Sequence, residues 1–176
     1  FSESKPVNRV KKQYIATRTT YRSSNSIMPG TDFDLVLAAG SAARRQMLEA
    51  AGIRFRIAPA DIDEEAHRRA LEATGDAADP RRVAASLAEA KAIAVSHRFP
   101  DALVIGSDQV LALGAEVFSK PADIAAARDA LLRLAGRTHE LHSAVALAAA
   151  VASVWSHLDT ARLAMRPLAA AEVDAY

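Results

Sequence analysis

No cysteine occurs in the 176 residues, which excludes a disulfide framework, a thiolate metal site and a cysteine nucleophile. Aromatic residues are also scarce, at 5% of the chain against 51% hydrophobic residues in all, so the interior has to be built from aliphatic side chains and alanine. No apolar run reaches membrane length. The longest, residues 144–155, is too short and too alanine-rich to cross a bilayer, and no membrane partner is expected. Acid is missing from one end. Residues 1–27 carry Lys5, Arg9, Lys11, Lys12, Arg18 and Arg22 against Glu3 alone, whereas residues 28–176 are acidic overall. That balance argues against a nucleic-acid partner for the main body, because phosphate backbones repel an acidic surface.

What is there reads as one globular domain preceded by an arm of different chemistry. Residues 1–27 have no apolar periodicity and are read as a basic leader, tag or disordered arm, with Met28 as the natural start of the domain that fills 28–176. The domain alternates strands and helices, an α/β pattern. Leu35 to Ala39 is a buried strand, Gly40-Ser41 a turn, and Ala42 to Ala51 a helix with Met47, Leu48 and Ala51 on its apolar face. Arg54 to Ala58 alternates as a strand. Glu64 to Thr74 is helical, and Asp79 caps a second helix over 81–98 with Val83, Leu87, Ala90, Ile93, Ala94 and His97 as its stripe. Lys91 borders that stripe. Residues 122–135 form another helix, and Thr138 to Leu147 with Val151 to Met165 form two antiparallel strands joined by small residues. His139 and His142 fall on opposite faces of a strand, which argues against a shared metal. A last helix starts near Pro167.

Three places carry chemistry. The strand, Gly-Ser turn and helix around Ser41 and Arg44 gather backbone N–H groups, a hydroxyl and guanidinium groups, as an anion site requires. The segment Asp61-Ile-Asp-Glu-Glu65 supplies four carboxylates, one of which is expected to share a divalent metal with Asp108. Around Leu103-Val-Ile-Gly-Ser-Asp-Gln-Val-Leu-Ala-Leu113 a β-branched run feeds into Gly106-Ser-Asp108, where the chain is expected to bend and leave Asp108 at the end of a buried strand. Lys120 follows a short loop later, set in extended backbone by Pro121.

Six pieces, Leu37-Ala-Ala-Gly-Ser-Ala-Ala-Arg-Arg-Gln-Met-Leu48, Asp61-Ile-Asp-Glu64, Leu87-Ala-Glu-Ala-Lys-Ala92, Val104-Ile-Gly-Ser-Asp-Gln109, Ser119-Lys-Pro121 and Leu134-Ala-Gly-Arg-Thr-His139, stand in an order and spacing that resembles the Maf proteins, nucleoside triphosphate pyrophosphatases. The resemblance covers residues 35–176. It implies a Maf/ITPase-like fold, a mixed twisted sheet flanked by helices with a deep nucleotide cleft. It also implies hydrolysis of a nucleoside triphosphate to the monophosphate and pyrophosphate with Mg²⁺ or Mn²⁺, a homodimer and a cytoplasmic location. By the same resemblance Ser41, Arg44 and Gln109 bind substrate, Glu64 and Asp108 hold the metal, and Asp108, Lys91 and Lys120 are catalytic. Ala39 stands where the family usually has a second serine. Gln109 stands where many members have threonine, as in the branch that resembles 7-methyl-GTP pyrophosphatases and not the branch acting on dTTP and UTP. Members also continue past the last helix into a Gly- and Lys-containing motif, so the chain reads as C-terminally truncated. A non-catalytic nucleotide binder that regulates septum formation is the alternative reading.

Overall fold

A computed structural model describes residues 34–75 and 79–175; the basic arm over 1–27 and the start expected at Met28 lie outside them. Among the described residues six strands and five helices follow in the order β1 (Leu35–Leu37), α1 (Ala42–Ala50), β2 (Arg56–Ile57), α2 (Glu64–Thr74), α3 (Pro80–Ser96), β3 (Leu103–Leu113), β4 (Glu116–Phe118), α4 (Ile124–Leu134), β5 (Thr138–Ala149), β6 (Ala152–Ala164) and α5 (Ala170–Asp174). They form a mixed α/β fold around one sheet in the order β2-β1-β3-β5-β6, with β4 paired to β3. β2, β1 and β3 run parallel, while β3, β5 and β6 form an antiparallel meander.

The core lies between α3 and one face of β3, β5 and β6. Alternate residues of β3 and β5 point at the helix. Val104, Val110, Ala144, Ala146 and Ala148 on the sheet meet Val83, Ala84, Leu87, Ala88, Ala92 and Val95 on α3. Small residues on both surfaces bring the helix close, which is how a chain with few aromatics fills its interior. Gly106 makes the closest approach. A methyl group there would meet the carbonyl oxygen of Ala88 and lie 2.5 Å from the amide nitrogen of Ala92.

That packing overturns the expected bend. The strand runs unbroken from Leu103 to Leu113, and Asp108 sits in its middle instead of at its end. The glycine serves contact with α3, not a turn. The apolar stripe of α3 is also rotated from the one expected: Val83 and Leu87 are buried as read and Ile93 packs against the core from its edge, but Ala84, Ala88, Ala92 and Val95 take the buried places expected of Ala90 and Ala94, and His97 is exposed. Alanines spread around the helix left several stripes equally plausible by pattern.

Two further expectations differ from the structure. Met47, assigned to an apolar face, is 67% exposed, and no residue of α1 is buried. The helix is sustained locally by good helix formers, the Ser41 cap and an Arg45–Glu49 pair at 3.7 Å. The strand expected over 54–58 narrows to Arg56 and Ile57, paired to β1.

The β5–β6 hairpin turns on Ala150 and Val151, both with positive φ, at 49° and 65°. Two such residues match the handedness of a two-residue hairpin turn. Valine is poorly suited to it, because its branched side chain crowds the following carbonyl in the left-handed region. Val151→Gly is therefore expected to stabilise the fold by about 1 kcal/mol, raising the thermal midpoint by about 2–4 °C. Calorimetry checks this, and a lower midpoint would mean that the valine side chain contributes more by contact than it loses by strain.

Candidate active site

The pocket of interest opens where the sheet is notched. β1 accompanies β3 only from Leu103 to Ile105, and β4 rejoins it from Leu111 to Leu113. Among the described strands none covers that edge of β3 between these two stretches. A pocket of about 360 Å³ occupies the notch, lined by the turn after β1 (Ala38 to Ser41), by Arg44 of α1, by Pro59 and Ala60 after β2, and by Glu64, Lys91, Ser107 and Lys120. Its volume is within the range of small-molecule sites.

Local rules deliver each of these side chains. Ser41 is the N-cap of α1, its hydroxyl facing the Arg44 amide at 3.5 Å, so the turn presents a hydroxyl, a helix N-terminus and a guanidinium together. Asp63 caps α2 by accepting from the Ala66 amide at 2.8 Å, which makes Glu64 the first residue of the helix. Lys91 lies five residues before the last residue of α3, on the helix flank that borders the buried stripe. Lys120 follows β4 by two residues and is exposed at the rim.

At the pocket wall Lys91 joins two carboxylates. Its Nζ lies 2.7 Å from Asp108 Oδ1 and 2.7 Å from Glu64 Oε1. Asp108 is 6% exposed, and its Oδ2 is buried without a hydrogen-bond partner. A buried carboxylate oxygen left unpaired is unfavourable and marks a place for a ligand, a proton or a cation. The hydrogen bond from Lys91 holds the Glu64 carboxyl below the usual carboxylate range, against the opposing effect of its partial burial, with further help from the charges of Lys91, Arg68 and Lys120. The α2–α3 contact is reinforced by His67 Nε2 and Ser86 Oγ at 2.7 Å.

Six of the seven residues singled out in the sequence thus come together: Glu64, Lys91 and Asp108 as an ion-paired cluster, Ser41, Arg44 and Lys120 around the same pocket. Gln109 does not join them. It is exposed and is not among the residues that line the pocket, although strand alternation puts it on the same sheet face as Ser107, which does. Ala39, which stands where the resembled family usually has a second serine, lines the pocket. Ser107 and the His67–Ser86 contact were not anticipated, and no local pattern marks either.

The histidines stay outside this site. His142 is 2% exposed and hydrogen-bonded through Nδ1 to Thr160 Oγ1 at 2.9 Å, while the exposed His157 stacks on Trp155. No group of three or more potential metal-ligating side chains occurs among the described residues. Two carboxylates with an orphaned oxygen nonetheless suit a hard divalent ion that takes its other ligands from water and phosphate.

Comparison with known proteins agrees with this geometry. The family described as Maf-like protein matches residues 34–176. A nucleoside triphosphate pyrophosphatase of Rhodopseudomonas palustris (strain BisB18) is 49% identical over 142 residues, covering 81% of this chain and 68% of that protein. A 7-methyl-GTP pyrophosphatase of Rhizobium etli is 51% identical over 134 residues, covering 76% of this chain and 66% of that protein. Another 7-methyl-GTP pyrophosphatase, from Brucella abortus biovar 1, is 49% identical over 142 residues, 81% of this chain and 70% of that protein. The chain therefore spans about two thirds of the length of these relatives. With the family match running from the first described strand to the last residue, and with identities near one half, the chain belongs to the Maf-like protein family.

Proposed function

We propose that the chain hydrolyses a nucleoside triphosphate to the monophosphate and pyrophosphate, as the names of its relatives describe for them. The observation that carries this reading is the Glu64–Lys91–Asp108 cluster at the wall of a pocket edged by Ser41, Arg44 and Lys120. Three cations and a hydroxyl complement a polyphosphate. Gln109 is not among the residues that line the pocket and supports no choice of base, so dTTP, UTP and 7-methyl-GTP stay together as candidate substrates.

Ser41, the N-terminus of α1 and Arg44 bind phosphate at one side of the notch, and Lys120 holds it from the other. Bound between them, the chain of phosphates lies along the wall that carries Lys91. Glu64 and Asp108 would hold a divalent metal, Mg²⁺ or Mn²⁺, which when bound neutralises phosphate charge and acidifies water. Water adds to the α-phosphorus, the bond from that phosphorus to the α–β bridging oxygen breaks, and the bridging oxygen leaves with its electron pair as part of pyrophosphate. The water proton passes to the Asp108 carboxylate. Arg44 and Lys120 stabilise the charge that gathers on the transferring and leaving groups. A cytoplasmic homodimer is the setting proposed for this activity.

The test is pyrophosphate release by the purified protein with Mg²⁺ or Mn²⁺ across dTTP, UTP, CTP, 7-methyl-GTP, ATP and GTP. Equimolar monophosphate and pyrophosphate from one or a few of these is expected. Release of orthophosphate instead, or no release from any, would overturn the assignment.

A further inference from the structure

We propose that the Lys91 ammonium is the resident cation of the carboxylate pair, standing where a divalent metal would be held, so that metal enters only as Lys91 is drawn onto the phosphates of the substrate. The inference deepens the pyrophosphatase reading and rests on it for the identity of the polyphosphate. Nζ sits 2.7 Å from one oxygen of each carboxylate, Glu64 Oε1 and Asp108 Oδ1. That is direct charge-assisted hydrogen bonding to both. The Lys91 side chain is 12% exposed and that of Asp108 8%, against 48% for Glu64, so the Lys91–Asp108 contact is shielded from solvent and its electrostatics are stronger than at a surface. A divalent ion brought between the same two groups would face a positive charge at hydrogen-bond range. The two cations exclude each other, while removing Lys91 with nothing in its place would leave two carboxylates facing one another.

An exchange resolves this. Lys91 lines the pocket together with Ser41, Arg44 and Lys120, so an ammonium that leaves the carboxylates has a polyphosphate to bind on the pocket side. The absence of a third metal-ligating side chain among the described residues points the same way. Two carboxylates alone make an incomplete site for a small hard ion, and phosphate oxygens supply the remaining ligands. Asp108 Oδ2, buried and unpartnered, is the acceptor that the exchange satisfies. Metal and polyphosphate are then thermodynamically coupled, each tightening the other by the same factor.

The experiment reads Mn²⁺ binding by electron paramagnetic resonance and calorimetry, without turnover. Wild-type protein is expected to bind Mn²⁺ alone weakly, and at least about 10-fold more tightly with a non-hydrolysable α,β-methylene triphosphate present, within the usual range of coupling between sites. Lys91→Met is expected to bind Mn²⁺ alone at least about 10-fold more tightly than wild type, with the coupling to the triphosphate reduced. Lys91→Gln keeps a hydrogen-bond donor for the carboxylates and provides the same comparison should the methionine variant fold poorly. Mn²⁺ affinity that is unchanged or weaker in both variants would overturn the proposal, as would wild-type affinity indifferent to the triphosphate. A protein that releases no pyrophosphate but shows the predicted Mn²⁺ pattern would leave this exchange standing and remove only the assigned reaction.

Discussion

Asp108→Asn is expected to reduce pyrophosphate release by about 10²- to 10⁴-fold, the range associated with losing a positioned proton acceptor. The amide keeps the size of the side chain but places no negative charge beside Lys91 Nζ, which lies 2.7 Å from Oδ1, and no carboxylate oxygen at the buried, unpartnered Oδ2 position. Binding of a triphosphate analogue should change by only a few fold, because Ser41, Arg44 and Lys120 remain in the pocket. Steady-state release and calorimetric binding, on protein checked by circular dichroism, separate the two effects. Unchanged turnover would remove Asp108 from the reaction. Loss of binding and turnover together would make it a residue that holds the pocket in shape.

The largest expected effect on stability belongs to Gly106→Ala. The added methyl group would meet backbone atoms of α3, the Ala88 carbonyl oxygen and the Ala92 amide nitrogen at 2.5 Å, with the Ala92 Cβ at 2.8 Å. Neither backbone atom can turn aside as a side-chain tip would. The helix must lift from the sheet along the surface that buries Val83, Leu87, Ala88, Ala92 and Val95. Overpacking of this kind costs about 3 kcal/mol, the upper end of its usual range, which lowers the thermal midpoint by about 6–12 °C. Gly40→Ala is the control, since a methyl group there meets nothing within 4 Å, and its effect on stability should stay within about 1 kcal/mol. A midpoint for Gly106→Ala close to that of the control would show that α3 is less closely seated than the small-residue packing indicates.

Much of the fold was legible because local rules reinforced one another. Asp79 falls at a true N-cap as read, α2 spans the predicted Glu64–Thr74, and the alternating runs after Gly136 become the β5–β6 hairpin. Alanine-rich segments were harder. In α3 the difference between a buried and a half-buried alanine carries almost no signal in sequence, so the stripe was rotated by part of a turn. Gly106 misled for a related reason. A glycine inside an apolar run reads equally as a bend or as close contact with another backbone, and only the position of α3 distinguishes them.

The candidate site divides along the same line. By itself the sequence determined the chemical inventory: no thiol, a Gly-Ser turn opening a helix with arginines, acids at the start of α2, a lysine beside an apolar stripe, and an aspartate in a β-rich run. Residue type and short-range spacing were enough for that, since caps, turns and strand alternation act within a few positions. Only the tertiary structure decided that Glu64 and Asp108, far apart in sequence, meet on one ammonium, that the sheet is notched beside them, and that Gln109 stays out of the pocket lining. Those outcomes depend on how α2 and α3 lie on β3. That packing is set by contacts between small side chains from distant segments, whose geometry no local pattern records.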